Sequence, residues 1–508
     1  MRVINSIMSW IMKKRIHQME LFMKYPEEVQ QENLKRIISQ SKDTVFGRKY
    51  QYSSMGGVRE FQERVPVVNY EGLYPFIERS LKGEPNVLWP TEVRWFAKSS
   101  GTTNARSKFI PVTQEALEDC HFKGGKDMLA LYCQSSENTQ LFSGKNLSLG
   151  GSHQQNHWNP DTFYGDLSAV IMQNLPFWAQ FIRTPDLSIA LMEDWESKIV
   201  KIGENTIIEN VISVSGVPTW MMVLFHWVMQ RKGVNDVREV WPNFEVLFHG
   251  GVGFGPYREP IKSIFGGTMP KTVEIYNASE GFFGIQDDPS KNEMLLMLDY
   301  GIFYEFIPLS ELGQPFPNTK TIGEVEVGKP YAVVISTNGG LWRYLIGDTV
   351  RFTSTFPHRF VIVGRTKLFI NVFGEELMIE NADYAVEKAC LLTQATMADY
   401  TAGPVYMKDG KGGGHEWIVA FEKMPEDLER FTQLLDEQLQ SVNSDYAAKR
   451  KENMGMSLPL VHAAPADTFY HWLKEKGKLG GQNKIPRLCN DREILESLLS
   501  KITTRELT

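Results

Sequence analysis

The sequence predicts an α/β protein in two parts. A large N-terminal α/β body spans residues 1–370 and includes an antiparallel or distorted-barrel subdomain at 293–365; a small, mobile α+β domain follows at 371–508. Three observations carry this. Residues 1–290 mix helical patterns with short β-rich runs such as Phe244–Phe248 and Thr272–Tyr276, the texture of helices laid on a sheet. From Glu293 to Arg365, turn residues punctuate apolar runs, as in a strand meander. After Arg365 a helix, a strand and a second helix are legible within about 130 residues, enough for a separate core.

The elements follow in chain order. The stretch MRVINSIMSWIMKKRIHQMELF is interrupted by Asn5, Ser6 and Ser9, then by Lys13, Lys14 and Arg15, and no small-residue cleavage site follows. It reads as an amphipathic helix docked on the body rather than a targeting segment. MMVLFHWVM (221–229) reads as buried helix, and VLFHGGVGFGPYREPIKSIFG (246–266) as strand, glycine loop and helix. The latter misses the dinucleotide fingerprint, because Pro256 stands where the third glycine belongs. MLLMLDYGIFYEFIPL predicts two strands around Asp-Tyr-Gly, GEVEVGKPYAVVIST another pair around Gly-Lys-Pro, and RFVIVGR one more. Residues 380–390 look helical and EWIVAFEK (416–423) looks like a strand. PEDLERFTQLLDEQLQSV places Leu428, Phe431, Leu434, Leu435, Leu439 and Val442 on one helical face, with Pro425, Glu426 and Asp427 in the first turn. The domain boundary falls at Thr366–Gly374.

Composition narrows the function. With 54 basic and 61 acidic residues the formal net charge is −7, and no basic stripe interleaves with aromatics, so nucleic acid is not an expected partner. No run of 18 apolar residues predicts a membrane span. Cys120, Cys133, Cys390 and Cys489 form no CxxC pair and no metal-ligand spacing, which fits a reducing, cytoplasmic setting. A monomer or weak oligomer is expected.

The chemistry begins at FAKSSGTTNARSKFIPVT (96–113). Ser99, Ser100, Gly101, Thr102 and Thr103 supply four hydroxyls and a flexible glycine, which can curl so that N–H and O–H groups converge on an anion, with Lys108 as a further donor. Taken alone, the segment is equally a polar surface turn, and it lacks the P-loop spacing. EIYNASEGFFGIQ (274–286) and GGLWRYLIGDTVRF (339–352) likewise read, in isolation, as a strand end with a solvated glutamate and a turn capped by an aspartate.

Order and spacing change that reading. SSGTT followed by lysine and then proline, an aromatic with Ser-Glu and Phe-Gly-Ile, and Arg-x-x-x-Gly-Asp succeed one another over about 250 residues. Together they resemble the three motifs of the GH3 acyl acid-amido synthetases, a branch of the adenylate-forming enzymes that also include acyl-CoA synthetases and luciferases. Two further stretches agree: VGRTKLF (363–369) is similar to the superfamily's hinge-side Gly-Arg, and GGQNKIPR (480–487) to the family's Gln-x-Lys-x-Pro-Arg. Trp342 replaces the usual first tyrosine of the third motif, and Asn104 and Ala105 stand where the wider superfamily has glycine. Trp342, together with the GRTK stretch after the meander, points to a divergent, bacterial member whose acid need not be a plant hormone.

The resemblance implies the adenylate-forming enzyme fold, the substrates ATP, a small carboxylic acid and an amino acid (or CoA), and Mg²⁺. Ser99, Ser100, Thr102 and Thr103 would cradle phosphate, with Lys108 beside them. Tyr276 would stack on adenine, next to Ala278, Ser279 and the backbone of Gly250, Gly251 and Val252. Glu280 would bind Mg²⁺, Asp348 the ribose hydroxyls, Arg365 the ribose or α-phosphate, and Lys484 the α-phosphate and carboxylate. Arg343 orients its loop or faces the acyl pocket. Ser148–Arg183 lines that pocket by family position.

Competing readings are an acyl-CoA ligase with the same first half-reaction, and a non-catalytic nucleotide-binding protein, against which Glu280, Asp348 and Lys484 count. His153 and His157, four apart, allow a metal site, but the glycines before them favour a loop or acyl-pocket role. No cysteine sits in an activating context.

Overall fold

The computed structural model of the chain describes residues 2–99, 108–156, 159–251, 254–314, 316–366, 370, 375, 377–405, 413–443, 446–447, 450, 456–479, 484–489 and 492–505. They fall into two compact units, Met1–Gly251 with Pro270–Val361, and Val252–Met269 with Ile362–Thr508. Most of the expected boundary, 367–369 and 371–374, lies outside the described residues.

The larger unit is built on strands β1 (Trp95–Ser99), β2 (Lys108–Val112), β3 (Lys145–Ser148), β4 (His153–Gln155), β5 (Phe163–Gly165), β6 (Arg183–Thr184), β7 (Val211–Gly216) and β8 (Val246–Gly250). There follow β9 (Lys271–Ala278), β10 (Gly281–Ile285), β11 (Met294–Leu296), β12 (Ile302–Pro308), β13 (Pro330–Thr337), β14 (Tyr344–Thr355) and β15 (His358–Arg365). Strands β2-β1-β5-β4 form one sheet, and the rest form an 11-stranded sheet in the order β12-β13-β14-β15-β11-β10-β9-β8-β7-β3-β6. From β6 to β9 the pairing is parallel. The β9–β10 hairpin reverses it, and the described pairings from there to β12 are antiparallel.

The meander is therefore antiparallel as its turn residues predict, and it continues the parallel sheet. It also curls. Side chains from every strand of β9–β15, from Tyr276 through Phe306 and Val333 to Phe360, line one apolar cavity of about 10 Å³. Strands whose inward positions converge in this way are closing into a barrel.

Two expected hairpins come out differently. β11 and β12 are not paired across Asp-Tyr-Gly: β11 lies between β10 and β15, while β12 pairs with β13. The connection is a buried anchor rather than a tight turn. Gln30 donates to the carbonyls of Leu298 and Ile302 at 2.8 Å, and Arg15 and Lys123 both hold Asp299. GEVEV (323–327) forms no strand: its first two residues end a 3₁₀ turn, Ile322–Glu324, where Thr321 and Glu324 close a capping box that competes with strand formation.

The N-terminal pattern splits into helices Arg2–Lys13 and Ile16–Lys24, with Arg15 between them clamped to Asp127 at 3.0 Å. Helix Pro218–Lys232 buries Met221, Leu224, Phe225 and Val228 and ends at Gly233, whose φ of +72° provides the left-handed cap that favours glycine.

The smaller unit carries β16 (Thr396–Val405), β17 (Gly414–Lys423) and β18 (Leu460–Pro465), in that order, antiparallel and then parallel. Helices Ile379–Thr393 and Leu428–Val442 share its core, with Val386, Trp417 and Leu435 fully buried. Asp427 precedes its helix as an N-cap, accepting from Arg430 N at 3.0 Å, instead of lying in the first turn.

Candidate active site

The parallel strands β3, β7, β8 and β9 end at Ser148, Gly216, Gly250 and Ala278. In open α/β sheets the crevice outside the carboxyl ends of such strands is where ligands bind, notably where the topology switches. Here the switch is the β9–β10 turn, and its residues are Ser279 and Glu280. Ser279 is buried and Glu280 half-buried.

β14 comes to this turn from the far side of the sheet. Gly347 takes φ +97°, a conformation that favours glycine, and the β13–β14 register slips between Ala332 and Val334. Asp348 sits in that slip and accepts a hydrogen bond from the Tyr276 hydroxyl. Tyr344 Oη approaches Glu280 Oε1 at 3.5 Å, the long end of a hydrogen bond. Two predicted segments, about 70 residues apart, are thus joined by two tyrosines. The Tyr276 ring itself is buried, edge-on to Phe283 with centroids 4.8 Å apart.

Between the alternatives for Arg343 the structure chooses orientation of the loop. Its side chain is 5 % exposed, and its φ is +40°. Its guanidinium meets Glu305 at 2.9 Å through two nitrogens and also reaches the carbonyls of Gln62 and Val65 and the Thr319 hydroxyl. That engages all five of its N–H donors. Its own carbonyl accepts from Val68 N at 3.0 Å, and Leu345 N donates back to the Val68 carbonyl at 2.8 Å. Trp342 is fully buried, stacked on Phe46 and donating to the Leu88 carbonyl. This departure from the usual tyrosine belongs to the core.

The Val68 pairing ties the first motif to the third. Tyr70, two residues on, accepts from Phe109 N at 2.9 Å, and Lys108 Nζ lies 5.7 Å from the Tyr70 ring centre. Burial raises the Tyr70 phenol to about 12, so it stays neutral. Ser99 and Lys108 are cross-strand partners at the open end of β1–β2. Ser100, Thr102 and Thr103 lie outside the described residues, as does Val252. Gly250 borders Ile275 so closely that a Cβ would come 2.3 Å from the Ile275 carbonyl oxygen, while Gly251 takes φ +82°.

In the smaller unit Lys484 begins a described segment fastened to β16. Thr401 Oγ1 donates to the Pro486 carbonyl, Ala402 N to the Arg487 carbonyl and Cys489 N to the Ala402 carbonyl. Arg487 is buried against Asp383 and lies over the rings of Tyr257 and Tyr400. Arg365 ends β15. His153 lies on β4 against Trp95, 5.8 Å between ring centres, and His157 lies outside the described residues.

Among the described residues no group of three or more His, Cys, Asp or Glu could hold a metal ion. Glu280 alone fits a Mg²⁺ ion that arrives on nucleotide phosphates, since such ions take one or two carboxylates from the protein and keep water for the rest. Sequence reasoning missed Tyr344 and Asn277. The first flanks Arg343 in the third motif; the second flanks Tyr276 and accepts from buried His121 at 3.1 Å.

Models of the GH3 family N-terminal, central and C-terminal domains match residues 15–270, 295–365 and 380–493. An indole-3-acetic acid-amido synthetase of Arabidopsis thaliana is 22% identical over 550 residues, covering 94% of this chain and 91% of that one. The solved structure of the acyl acid amido synthetase GH3.15 in complex with 2,4-DB superposes with a TM-score of 0.80 at 18% identity, over 97% of this chain and 96% of that chain. That of 2-hydroxyisobutyryl-CoA ligase in the postadenylation state gives 0.60 at 13% identity, over 94% and 91%. Both share the fold. With the N-terminal match alone spanning half the sequence and the other two in order behind it, the chain belongs to the GH3 family.

Proposed function

We propose that the chain activates a small carboxylic acid with ATP and transfers the acyl group to an amino-acid amine. The observation that carries this is the joining of Glu280 and Asp348 at the carboxyl ends of the parallel strands, through Tyr344 and Tyr276.

In the first half-reaction an acid carboxylate oxygen attacks the α-phosphorus of ATP and the bond to pyrophosphate breaks, leaving an acyl-adenylate. Glu280, together with the phosphates, would hold Mg²⁺, which when bound would supply neutralisation of charge on the leaving pyrophosphate. Asp348, oriented by the Tyr276 hydroxyl, accepts hydrogen bonds from the ribose hydroxyls. Adenine lies by the Gly250–Gly251 backbone; the Tyr276 ring, expected to stack on it, is packed against Phe283 and Phe360 inside the barrel, so Tyr276 acts here through its hydroxyl on Asp348. Lys108 and the hydroxyls of Ser99, Ser100, Thr102 and Thr103 donate to phosphate oxygens, Arg365 at the end of β15 serves the ribose or α-phosphate, and Lys484 serves the α-phosphate and carboxylate. Donors fixed before reaction stabilise developing charge without reorganisation.

In the second half-reaction the amine nitrogen attacks the acyl carbon, the bond to AMP breaks, and the amine proton is lost. We assign the change between steps to rotation of residues 371–508 about 366–374. The amine acceptor is supported by family membership and by relatives named as amido synthetases.

A second reading, transfer to CoA, draws on the shared fold of 2-hydroxyisobutyryl-CoA ligase. ATP–pyrophosphate exchange over a panel of acids, followed by mass spectrometry with amino acids or CoA, separates the two. An amide mass with AMP is expected; thioester without amide overturns the amide-forming step, and no exchange with any acid overturns the activation step.

A further inference from the structure

The turn that presents Glu280 is not fixed by its own backbone. Two-residue hairpin turns match the twist of their strands when positive φ is available at the turn, yet neither Ser279 nor Glu280 takes positive φ. The ladder is irregular as well, with a register slip between Phe282 and Gly284. Something else must hold the turn in place.

One short π-helical segment, Leu117–Phe122, does so. Asn277 and Phe282 are cross-strand partners on the two sides of the turn. His121 Nδ1–H donates to Asn277 Oδ1 at 3.1 Å, and the neighbouring Cys120 Sγ accepts from Phe282 N at 3.1 Å. Consecutive helical residues therefore hold one strand each. One turn on, the helix approaches so closely that a Cβ at Gly124 would lie 2.5 Å from the Phe282 ring. His121 is 5 % exposed and Cys120 2 % exposed, so neither bond is contested by water. π-Helical segments recur at functional sites because they re-aim side chains that a regular helix would direct elsewhere.

We infer that the Leu117–Phe122 turn is the brace that sets Glu280, and that His121 is a positioning residue acting on the metal-bearing nucleotide through Asn277. The inference rests on the reading of Glu280 as the carboxylate for Mg²⁺. Burial lowers the His121 imidazole to about 4, so the brace is a neutral N–H at neutral pH, and burial raises the Cys120 thiol to about 12.

The test is ATP binding by the full chain with and without MgCl₂, which needs no acid substrate. The quantity read is the factor by which Mg²⁺ strengthens ATP binding. His121→Phe fills the space without the donor and should reduce that factor about tenfold, as groups that orient a metal ligand commonly do. His121→Asn, whose amide N–H takes the place of Nδ1–H, should restore it. Asn277→Ala removes the partner from the strand side and should match His121→Phe, with the double variant no worse than either; it serves also if His121→Phe fails to fold.

A merely structural role would weaken metal-free ATP and Mg·ATP binding alike, and that outcome overturns the inference. So does a wild-type factor in folded His121→Phe or Asn277→Ala. Glu280→Gln, measured alongside, separates the two levels. If it lowers the factor and His121→Phe does not, only the brace falls. If Glu280→Gln leaves the factor unchanged, the metal reading falls and the brace with it.

Discussion

Replacing Arg343 with methionine should come close to unfolding the larger unit, and the contacts of Arg343 set the size of the effect. The substitution leaves the Glu305 carboxylate, 1 % exposed, without its cation. An uncompensated buried charge costs about 3–5 kcal/mol. The carbonyls of Gln62 and Val65 also lose their guanidinium donor. Each such loss costs about 1 kcal/mol. The sum, about 5–7 kcal/mol, is comparable to the whole stability of many domains. Adding Glu305→Gln removes the stranded charge and keeps an acceptor for Thr319 Oγ1, which donates to Glu305 at 2.6 Å. The double variant should therefore lose only about 2 kcal/mol, most of it from the two carbonyls. Urea unfolding followed by tryptophan fluorescence measures the cycle, with Trp342, fully buried beside the site of change, as a local reporter. A single variant costing under about 2 kcal/mol, or a double as unstable as the single, would refute the claim that Arg343 acts as a fully satisfied buried anchor.

Other expectations follow from the same contacts. Asp348→Asn should raise the ATP requirement of the exchange reaction about 10- to 100-fold, and Tyr276→Phe, which removes one charged hydrogen bond, about tenfold; equal ATP requirements in both variants and wild type would contradict the ribose assignment. Burial lowers His121 and His358 from 6.5 to about 4. Below pH 6.5 the unfolded chain therefore binds protons that the fold does not, and stability falls as pH drops from about 6.5 to about 4, by up to about 3 kcal/mol per histidine. His121→Asn should flatten that slope in urea titrations at pH 7 and pH 5, and an unchanged slope would count against it. Gly250→Ala drives a methyl toward the Ile275 carbonyl oxygen and should cost about 1–3 kcal/mol through β8–β9 separation, with loss of ATP binding; thermal unfolding and ATP titration check both.

Much of this was legible in the sequence where a local rule applies. Leu428 to Val442 repeat apolar residues at helical spacing and form one helix, and the Gly-rich stretch after Phe248 follows a strand. The GEVEV segment alternates like a strand, but a side-chain capping box outcompetes the ladder. Asp-Tyr-Gly reads as a turn, but long-range anchors at Leu298, Asp299 and Tyr300 spread it into a buried connection. The site shows the same divide. Glu280 and Asp348 were named through the order of the motifs, whereas their joining by Tyr344 and Tyr276 depends on a sheet register that no local pattern reports. His121 carries no sequence mark at all, because its significance comes from Asn277, 156 positions away.

The sharing of one sheet by parallel and antiparallel strands has a consequence for the order in which the chain is made. Synthesis delivers β3 to β9 first, and until β10 folds back, β9 presents a bare row of amide and carbonyl groups. Such an open edge pairs readily with other chains. Asp348 emerges still later, on β14. A fragment ending near residue 290 would thus hold the glycine loop and Glu280 yet lack Asp348, and β10 would stand as a new, unguarded edge. The pairing of Tyr276 with Asp348 and the protection of β9 and β10 are completed by the same late strands, so neither is available to a nascent chain before the meander closes.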